Sequence, residues 1–253
     1  MEPSLEGYRG EESEYPVGFW NARRLPTDDG RRRPRIGNPE SAMLIPIDLP
    51  RRWDERPLPA EIRLAITAAR QRIETFQDCW DRDAIEQFVA ADYEAVYQTL
   101  AWVKESQPLP GNRFCEWGCG FAVVACLATE LGFDSIGIET EPDLIRQGRD
   151  TLADWFDPPA LGPELVAGNF LPPGTECLAD DPTLPSLGHH SDSAYEILGL
   201  DLDDFAVVYS YPWPGENDYH CDVFDARATV GAIHIQFAGP HDVRVYRKSG
   251  ARR

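Results

Sequence analysis

Several features are missing from this sequence of 253 residues, and two of these absences argue against a class of protein. No run of 18 apolar residues occurs, so we expect no membrane-spanning helix. The first residues, Met1 to Glu6, lack the basic and apolar regions of a secretory signal peptide. Lysine is nearly absent too, with only Lys104 and Lys248, and we have no functional interpretation of that bias.

The six cysteines include no Cys-x-x-Cys pair. Three of them, Cys115, Cys119 and Cys126, fall within one largely apolar stretch. This distribution favours small buried side chains in a reducing, cytoplasmic compartment. It is not typical of a disulfide framework or a zinc site.

The chain is strongly acidic, with a formal net charge of −19. Acidic and basic residues nearly balance in the first 60 residues, so the remainder carries almost all of that charge. Such a surface repels phosphate backbones, which argues against duplex nucleic acid as a partner. A basic protein, a cationic small molecule or a neutral metabolite suits it better.

Residues 114–139 carry the most informative pattern. An apolar run ends at Glu116, then come Gly118, Gly120, a helix-like stretch, and a second apolar run that ends at Glu139. The glycines allow the backbone to approach a ligand closely. A carboxylate about 20 residues downstream is placed to bind ribose hydroxyls. The pattern predicts a ligand with an adenosine-like group; the alternative is a turn that only joins a strand to a helix.

The identity of the ligand depends on two departures from the dinucleotide fingerprint. Val123 stands where that fingerprint has its third glycine, and Glu116 places a carboxylate where a pyrophosphate would bind. The pattern resembles the first motif of class I S-adenosylmethionine-dependent methyltransferases, acidic-x-Gly-x-Gly-x-Gly, with Ala122 at the third glycine. The resemblance implies S-adenosylmethionine as cofactor, with Glu116 near its ammonium end, Gly118 and Gly120 against it, and Glu139 on the ribose.

Residues 165–170 form a third short apolar run that ends in Asn169-Phe170. In the family, an Asp or Asn followed by an apolar residue binds and flanks the adenine at this position. The resemblance therefore implies that Asn169 and Phe170 contact the adenine. The alternative is an ordinary turn-favouring asparagine.

A fourth strand, from Phe205, runs into Ser210-Tyr211-Pro212-Trp213. This turn is similar to the [Asp/Asn/Ser]-Pro-Pro-aromatic motif of methyltransferases that act on nitrogen, with Tyr211 in place of the first proline. The resemblance implies that these four residues bind the methyl acceptor, which is expected to be a nitrogen of a protein side chain or a small molecule. The alternative is a proline-rich stop to a buried strand.

We predict an α/β fold: a doubly wound, mostly parallel sheet with helices on both faces, preceded by a helical and partly irregular amino-terminal extension. Ligands of such sheets bind at the carboxyl ends of the strands, where the motifs converge. The predicted division is an extended arm rich in proline and arginine (1–57), a helical cap (58–107) and the cofactor-binding domain (108–253).

Apolar periodicity predicts helices at about 59–76 and 83–105. Such helices cover the cofactor pocket in the family, so Phe88, Tyr93 and Tyr97 are candidates to wall it. Core packing is the simpler interpretation of the same stripe.

The segments at the two ends of the chain are less regular. We expect Met43–Ile47 to dock on the domain and the basic run Arg31–Arg35 to be a solvated arm. Residues 171–202 are interpreted as an acidic loop near the substrate site, and we expect no metal at His189-His190, which lacks regular ligand spacing.

After a fifth strand, 232–238, a short turn leads to one more strand at 243–247. Members of the family usually add a helix and two strands here, so the chain is expected to be shorter at this end. His234 alternates with apolar residues and is interpreted as a core histidine, not a general base.

The sequence therefore predicts an S-adenosylmethionine-dependent methyltransferase without a metal. Two alternatives remain: a non-catalytic protein that binds the same cofactor and a protein partner, and a nicotinamide-dependent oxidoreductase.

Overall fold

A seven-stranded sheet forms the centre of the computed structural model, which describes residues 43–78, 88–175, 178, 192–239 and 242–250. The strands in chain order are β1 (Leu44–Ile47), β2 (Arg113–Trp117), β3 (Asp134–Glu139), β4 (Glu164–Ala167), β5 (Val207–Ser210), β6 (Ile233–Gly239) and β7 (Asp242–Lys248). They lie in the order β1-β7-β6-β5-β2-β3-β4. The five strands from β6 to β4 are parallel, β7 is antiparallel to β6, and β1 is antiparallel to β7.

Six helices cover the two faces of this sheet in the described part of the chain. They are α1 (Ala60–Gln77), α2 (Tyr93–Ser106), α3 (Val123–Glu130), α4 (Pro142–Trp155), α5 (Ala194–Leu198) and α6 (Asn217–Arg227). Residues of α1 to α4 belong to one hydrophobic core cluster, and residues of α5 and α6 belong to a second. The predicted doubly wound α/β fold is thereby confirmed.

The central strands are buried on both faces, as their unbroken apolar runs predict. Every residue of β5 is buried, and alternate residues of β2 face opposite clusters, with Phe114 in the first and Cys115 in the second. Because parallel strands end at the same edge of a sheet, Trp117, Glu139 and Ser210 all lie along one rim.

The two helices before β2 differ in how well the sequence located them. α1 matches the prediction, and Ile62, Ile66 and Ile73 of its apolar stripe are buried. α2 begins at Tyr93, so the prediction was wrong for residues 88–92, which are not helical. The reason is Asp92, whose side chain accepts a hydrogen bond from the Ala95 N–H and caps the helix there.

The edge next to β7 is formed by β1, a strand from the amino-terminal side of the chain. Leu44 pairs with Lys248 and Ile47 with Val245, and Ser249 N–H donates to the Met43 carbonyl at 3.0 Å. The docking predicted for Met43–Ile47 is thus observed as strand pairing. Pro46 is tolerated because an edge strand has one side free of ladder hydrogen bonds.

Some predicted features fall wholly or partly outside the described residues. They include Arg31–Arg35, His189-His190 and most of the 171–202 loop. The described end of that loop contains α5 and a 3-10 turn at Leu202–Asp204.

All described residues belong to one compact unit, Gly37–Arg253. The division at residues 57 and 107 stays a prediction. Among the described helices, none has both the length and the apolar character needed to cross a bilayer.

Candidate functional site

The loop between β2 and α3 takes a backbone path that favours glycine. Gly118 and Gly120 have φ angles of +66° and +51°, in the left-handed region. A Cβ at Gly118 would meet nothing within 4 Å, so the loop is open to a ligand there. Ala122, at the family's third glycine position, also has a positive φ, +58°, which explains why glycine is the usual residue.

The approach to Gly120 is occupied by an aromatic ring. A Cβ at Gly120 would lie 2.5 Å from Cε2 of Phe88, so any larger residue at this position would displace that ring. Phe88 also packs on Phe121, with ring centroids 5.0 Å apart, and its carbonyl accepts a hydrogen bond from Gln77 at 2.9 Å. Phe88, a predicted wall residue, therefore contacts the glycine loop itself.

Glu139 connects the glycine loop to the end of β3. Its Oε2 accepts from the Gly120 N–H at 2.8 Å, and its Oε1 accepts from Thr140 N–H at 2.8 Å and Glu141 N–H at 3.0 Å. Burial raises the pKa of Glu139, and these three donors oppose that rise. Two predicted cofactor residues, Gly120 and Glu139, are thus brought into direct contact.

Glu116 lies beneath the same loop and is almost fully buried. Its Oε2 accepts from the Ala125 N–H at 2.7 Å, in the first turn of α3. Because Ala122 at the N-cap has no side-chain acceptor, Glu116 caps this helix from the neighbouring strand. Burial raises the pKa of Glu116 well above its usual value, and the charge of Glu139 adds to that rise.

Tyrosines surround Glu116 on the same face of the sheet. Burial raises the pKa of Tyr209, and the nearby charge of Glu116 raises it further. Tyr93, another predicted wall residue, is 4 % exposed, and the pKa of its hydroxyl is raised by burial and by Glu116. Tyr97 is only partly buried. The Tyr209 hydroxyl has no hydrogen-bond partner among the described residues.

Asn169 and Phe170 follow β4 at the same rim. The Asn169 side chain accepts from the Leu171 N–H at 2.9 Å, a turn-forming bond of the kind expected for this residue type. The ring of Phe170 stacks on Trp117, with centroids 4.8 Å apart and an interplanar angle of 16°. Phe170 also lies 4.9 Å from His220 of α6, so its ring belongs to the α6 side of the sheet.

The residues of the Ser210–Trp213 turn point in different directions. Ser210 is fully buried, and its Oγ lies 2.9 Å from Nε2 of His234. Tyr211 makes an edge contact with Phe237, with ring centroids 4.8 Å apart. Pro212 is buried, whereas Tyr211 and Trp213 are both partly exposed, so these two side chains are the turn residues open to an acceptor.

The sequence did not predict that Trp117, His220, His234 and Gln236 gather beside Ser210. His220 and Trp117 lie with ring centroids 5.7 Å apart, as do His234 and Trp117. Burial lowers the pKa of both histidines to about 3, so both are neutral at physiological pH. The alternation of His234 and Gln236 with apolar residues in β6 was the available signal. The observed burial of His234 agrees with its interpretation as a core histidine.

Metal and disulfide chemistry have no site among the described residues. No group of three histidine, cysteine, aspartate or glutamate side chains is placed to hold a metal ion there. The four described cysteines, Cys115, Cys119, Cys126 and Cys221, are free thiols. A surface groove of about 190 Å³ lies away from the glycine loop, between Trp53 and the start of α2.

Comparisons with solved structures find methyltransferases. An RNA methyltransferase from Salinibacter ruber, in complex with S-adenosyl-L-homocysteine, is 14% identical over 65% of this chain and 94% of its own, with a TM-score of 0.41. A precorrin-6y C5,15-methyltransferase from Geobacter metallireducens is 20% identical over 60% and 68%, with a TM-score of 0.38. An O-methyltransferase from Bacillus cereus, also in complex with S-adenosylhomocysteine, is 8% identical over 71% of this chain and 66% of its own, with a TM-score of 0.42. No protein-family model and no curated protein matches the chain.

Proposed function

We propose that this chain binds S-adenosylmethionine at the glycine loop and transfers its methyl group to an acceptor at the Ser210–Trp213 turn. The observation that carries the proposal is the 2.8 Å hydrogen bond from the Gly120 N–H to Glu139. It joins the glycine loop of β2 to the acidic tip of β3, at the rim where ligands of doubly wound sheets bind. The motif resemblance, Glu116-x-Gly118-x-Gly120, selects this cofactor over a dinucleotide.

The residues present fit the cofactor in most respects. Gly118 leaves open space beside the loop. The carboxylate of Glu139 has about four lone-pair positions. Its Oε1 accepts from the Thr140 and Glu141 N–H groups and, at 3.4 Å, from the Thr140 hydroxyl. Its Oε2 accepts from the Gly120 N–H, which leaves one lone pair of Oε2 for a ribose hydroxyl. The second hydroxyl requires one of those N–H groups to be displaced. Phe88 must shift for a ligand to rest on Gly120.

When bound, the cofactor supplies a methyl group on a positively charged sulfur, which a nucleophile displaces in line. The contribution of the protein to such a reaction is mainly proximity and orientation. In its ionised form, which the positive charge of the cofactor would promote, Glu116 would favour that charge, and the exposed part of Trp213 would pack against the acceptor. The acceptor in this proposal is a nitrogen of a protein side chain or small molecule, in a reducing, cytoplasmic compartment.

Thermal unfolding with and without S-adenosylhomocysteine tests the cofactor assignment. A ligand at about 100 times its Kd stabilises the native state by roughly 2.7 kcal/mol, enough to raise the Tm by a few degrees. We expect this rise in the parent, a much smaller one in Glu139→Gln, and the full rise in Glu164→Gln. Glu164 is a matched control because it is an exposed glutamate on the neighbouring strand.

The outcomes separate the alternatives. A rise with nicotinamide dinucleotide instead of S-adenosylhomocysteine would support the oxidoreductase. A rise with S-adenosylhomocysteine, but no transfer of labelled methyl to proteins or small molecules of a cell extract, would support the non-catalytic binding protein. No rise with either ligand would contradict the proposed function.

A further inference from the structure

A row of buried side chains crosses three strands beneath α6. Trp117 pairs in register with Ser210, and Ser210 with Gln236, so the three lie at one level of β2, β5 and β6. His234 lies two residues before Gln236 and therefore on the same face. All four are at most 2 % exposed. Contacts of Trp117 with His220, and of Gln236 with the Asn217 carbonyl, place α6 directly over the row.

The hydrogen bonding within this row is incomplete. Gln236 donates from Nε2 to the Asn217 carbonyl at 2.9 Å, which fixes its amide orientation and leaves Oε1 without a partner in the described part. Nδ1 of His234 also has none. The only bond between Ser210 and His234 is the one at Nε2.

The Ser210–His234 pair always has one unused donor. If Nε2 of His234 carries the hydrogen, it donates to Ser210 and the serine O–H has no acceptor. If Nδ1 carries the hydrogen instead, Ser210 donates to Nε2 and the Nδ1–H has no acceptor. A buried donor without a partner is costly, so a site of this kind is suited to a ligand that supplies an acceptor atom.

The unused groups define the chemistry of that ligand. They are one donor, either the Ser210 O–H on β5 or the His234 Nδ1–H on β6, and one acceptor, Gln236 Oε1 on β6. Ser210 and Gln236 pair in register, so their strands lie about 4.8 Å apart. A carboxamide presents a carbonyl and an N–H on adjacent atoms and so complements both. A charged ligand would leave an unpaired ion among neutral groups, at a large free-energy cost.

We propose that Ser210, His234 and Gln236 bind the carboxamide group of the acceptor, with its carbonyl facing the Ser210–His234 pair and its N–H facing Gln236 Oε1. The inference rests on the proposed function and names its acceptor class. The net charge of −19 favours an asparagine or glutamine side chain of a protein over a phosphate-bearing nucleobase. Methyl transfer would form the N–C bond, break the S–C bond with its electron pair left on sulfur, and release one amide proton to water.

Binding requires movement, because α6 and the turn before it cover the row. Gly215, in that turn, has a φ of +98°, which gives this segment a backbone conformation other residues rarely adopt. A cationic amine is the alternative ligand for this row. The reason is that the carboxyl of the buried Glu216, a group that attracts positive charge, lies 3.9 Å from Nε2 of His220. The experiment therefore compares the two.

The test uses protein labelled with ¹⁵N in its histidines, observed by NMR with and without S-adenosylhomocysteine. The probes are N-acetylglutamine methylamide and butylammonium. We expect the amide to shift the ring nitrogens of His234, which His234→Phe assigns, and butylammonium to leave them unchanged. Gln236→Leu should weaken amide binding about tenfold, the effect of one lost hydrogen bond.

Gln98→Leu is the matched control. Gln98 is also a buried glutamine that donates from Nε2 to a carbonyl, that of Arg56 at 2.6 Å, but it lies in α2. Its replacement should leave amide binding unchanged, whereas an equal loss in both variants would overturn the proposal. So would shifts with butylammonium alone, or with neither probe. Failure of S-adenosylhomocysteine to bind would instead contradict the proposed function. The two results can be told apart because the amide is also titrated without S-adenosylhomocysteine, and that titration tests the row of side chains by itself.

Discussion

Glu116 illustrates at the residue scale how one side chain serves both the fold and the candidate site. It was predicted as a ligand contact from its place before the glycines. In the structure it also caps α3 through the Ala125 N–H. Because the carboxyl is buried and its pKa is raised, the neutral form is favoured relative to an exposed glutamate.

We expect Glu116→Ala to lower the free energy of unfolding by about 1–3 kcal/mol, because a buried N–H loses its acceptor. Glu116→Gln keeps an acceptor oxygen and should lose less than half as much. Urea unfolding measures both. Equal losses in the two variants would show that capping is not the role of this side chain.

The buried histidines predict how stability depends on pH. In the folded state the pKa of His220 and of His234 is about 3, whereas an unfolded histidine has a pKa of about 6.5. The unfolded state therefore binds more protons below pH 6.5, so stability falls as the pH drops from 6.5 towards 3. The raised pKa values of Glu116 and Glu139 act in the opposite direction above about pH 4.5.

Replacing one histidine isolates its contribution. At pH 5.5 each buried neutral histidine lowers stability by about 1.4 kcal/mol relative to high pH. His220→Phe should therefore lose about that much less stability than the parent between pH 7.5 and 5.5, as measured by urea unfolding at each pH. An identical loss in both proteins would contradict the account of His220.

The sequence predicted which residues come together where their spacing along the chain determines their positions in the fold. Gly120 and Glu139 were predicted to lie at one rim because a strand, a turn and a helix of ordinary length bring them there, and the structure shows them in contact. Trp117 and His220 could not be identified, because their meeting depends on how α6 packs on the sheet. Phe170 was predicted to contact the adenine because of the family resemblance. In the structure its ring stacks on Trp117, and the contact with adenine stays a prediction.

At the scale of elements, β1 is the feature that the sequence described least well. A four-residue run containing a proline gives only a weak strand signal, and its partner, β7, lies about 200 residues away. Within β1, Leu44 packs against the second core cluster, whereas Ile45 is 49% exposed. Because successive side chains of a strand point to opposite faces, Leu44 and Ile45 form a matched pair of one core-facing residue and one exposed residue.

Leu44→Asp should lower the free energy of unfolding by at least about 2 kcal/mol, because it places a charge against the core. Ile45→Asp should change it by less than about 0.5 kcal/mol, as is usual for an exposed position. Chemical denaturation of both variants makes the comparison. Similar losses would mean that β1 does not dock through the Leu44 face.

The short segment before α2 leads to a second prediction at this scale. Since the Phe88 ring occupies the approach to Gly120, Phe88→Ala should lower the Kd for S-adenosylhomocysteine several-fold in calorimetric titration. Phe76→Ala is the control, because Phe76 also packs on Phe121, at 5.3 Å, but comes from α1. If the two variants bind the ligand equally, the ring of Phe88 does not hinder it.

At the scale of the whole molecule, the sheet order explains why the motifs converge. The chain winds from β2 outward to β4 and then returns to β5 and β6, so the order reverses beside β2. Ligands of open α/β sheets bind at that reversal. Alternating apolar runs and helices made this arrangement predictable. The place of β1 in the sheet was not predictable, because antiparallel pairing of distant segments has no local signature.

The central claim is that S-adenosylmethionine binds on the glycine loop, and the most direct measurement is the amide NMR spectrum of Gly118 and Gly120 during titration with S-adenosylhomocysteine. The account predicts that both amide signals move saturably and that Glu139→Gln weakens the effect, whereas NADH leaves them in place. If millimolar S-adenosylhomocysteine moves neither signal, or binds while only distant amides respond, the glycine loop is a structural turn and the assignment is wrong.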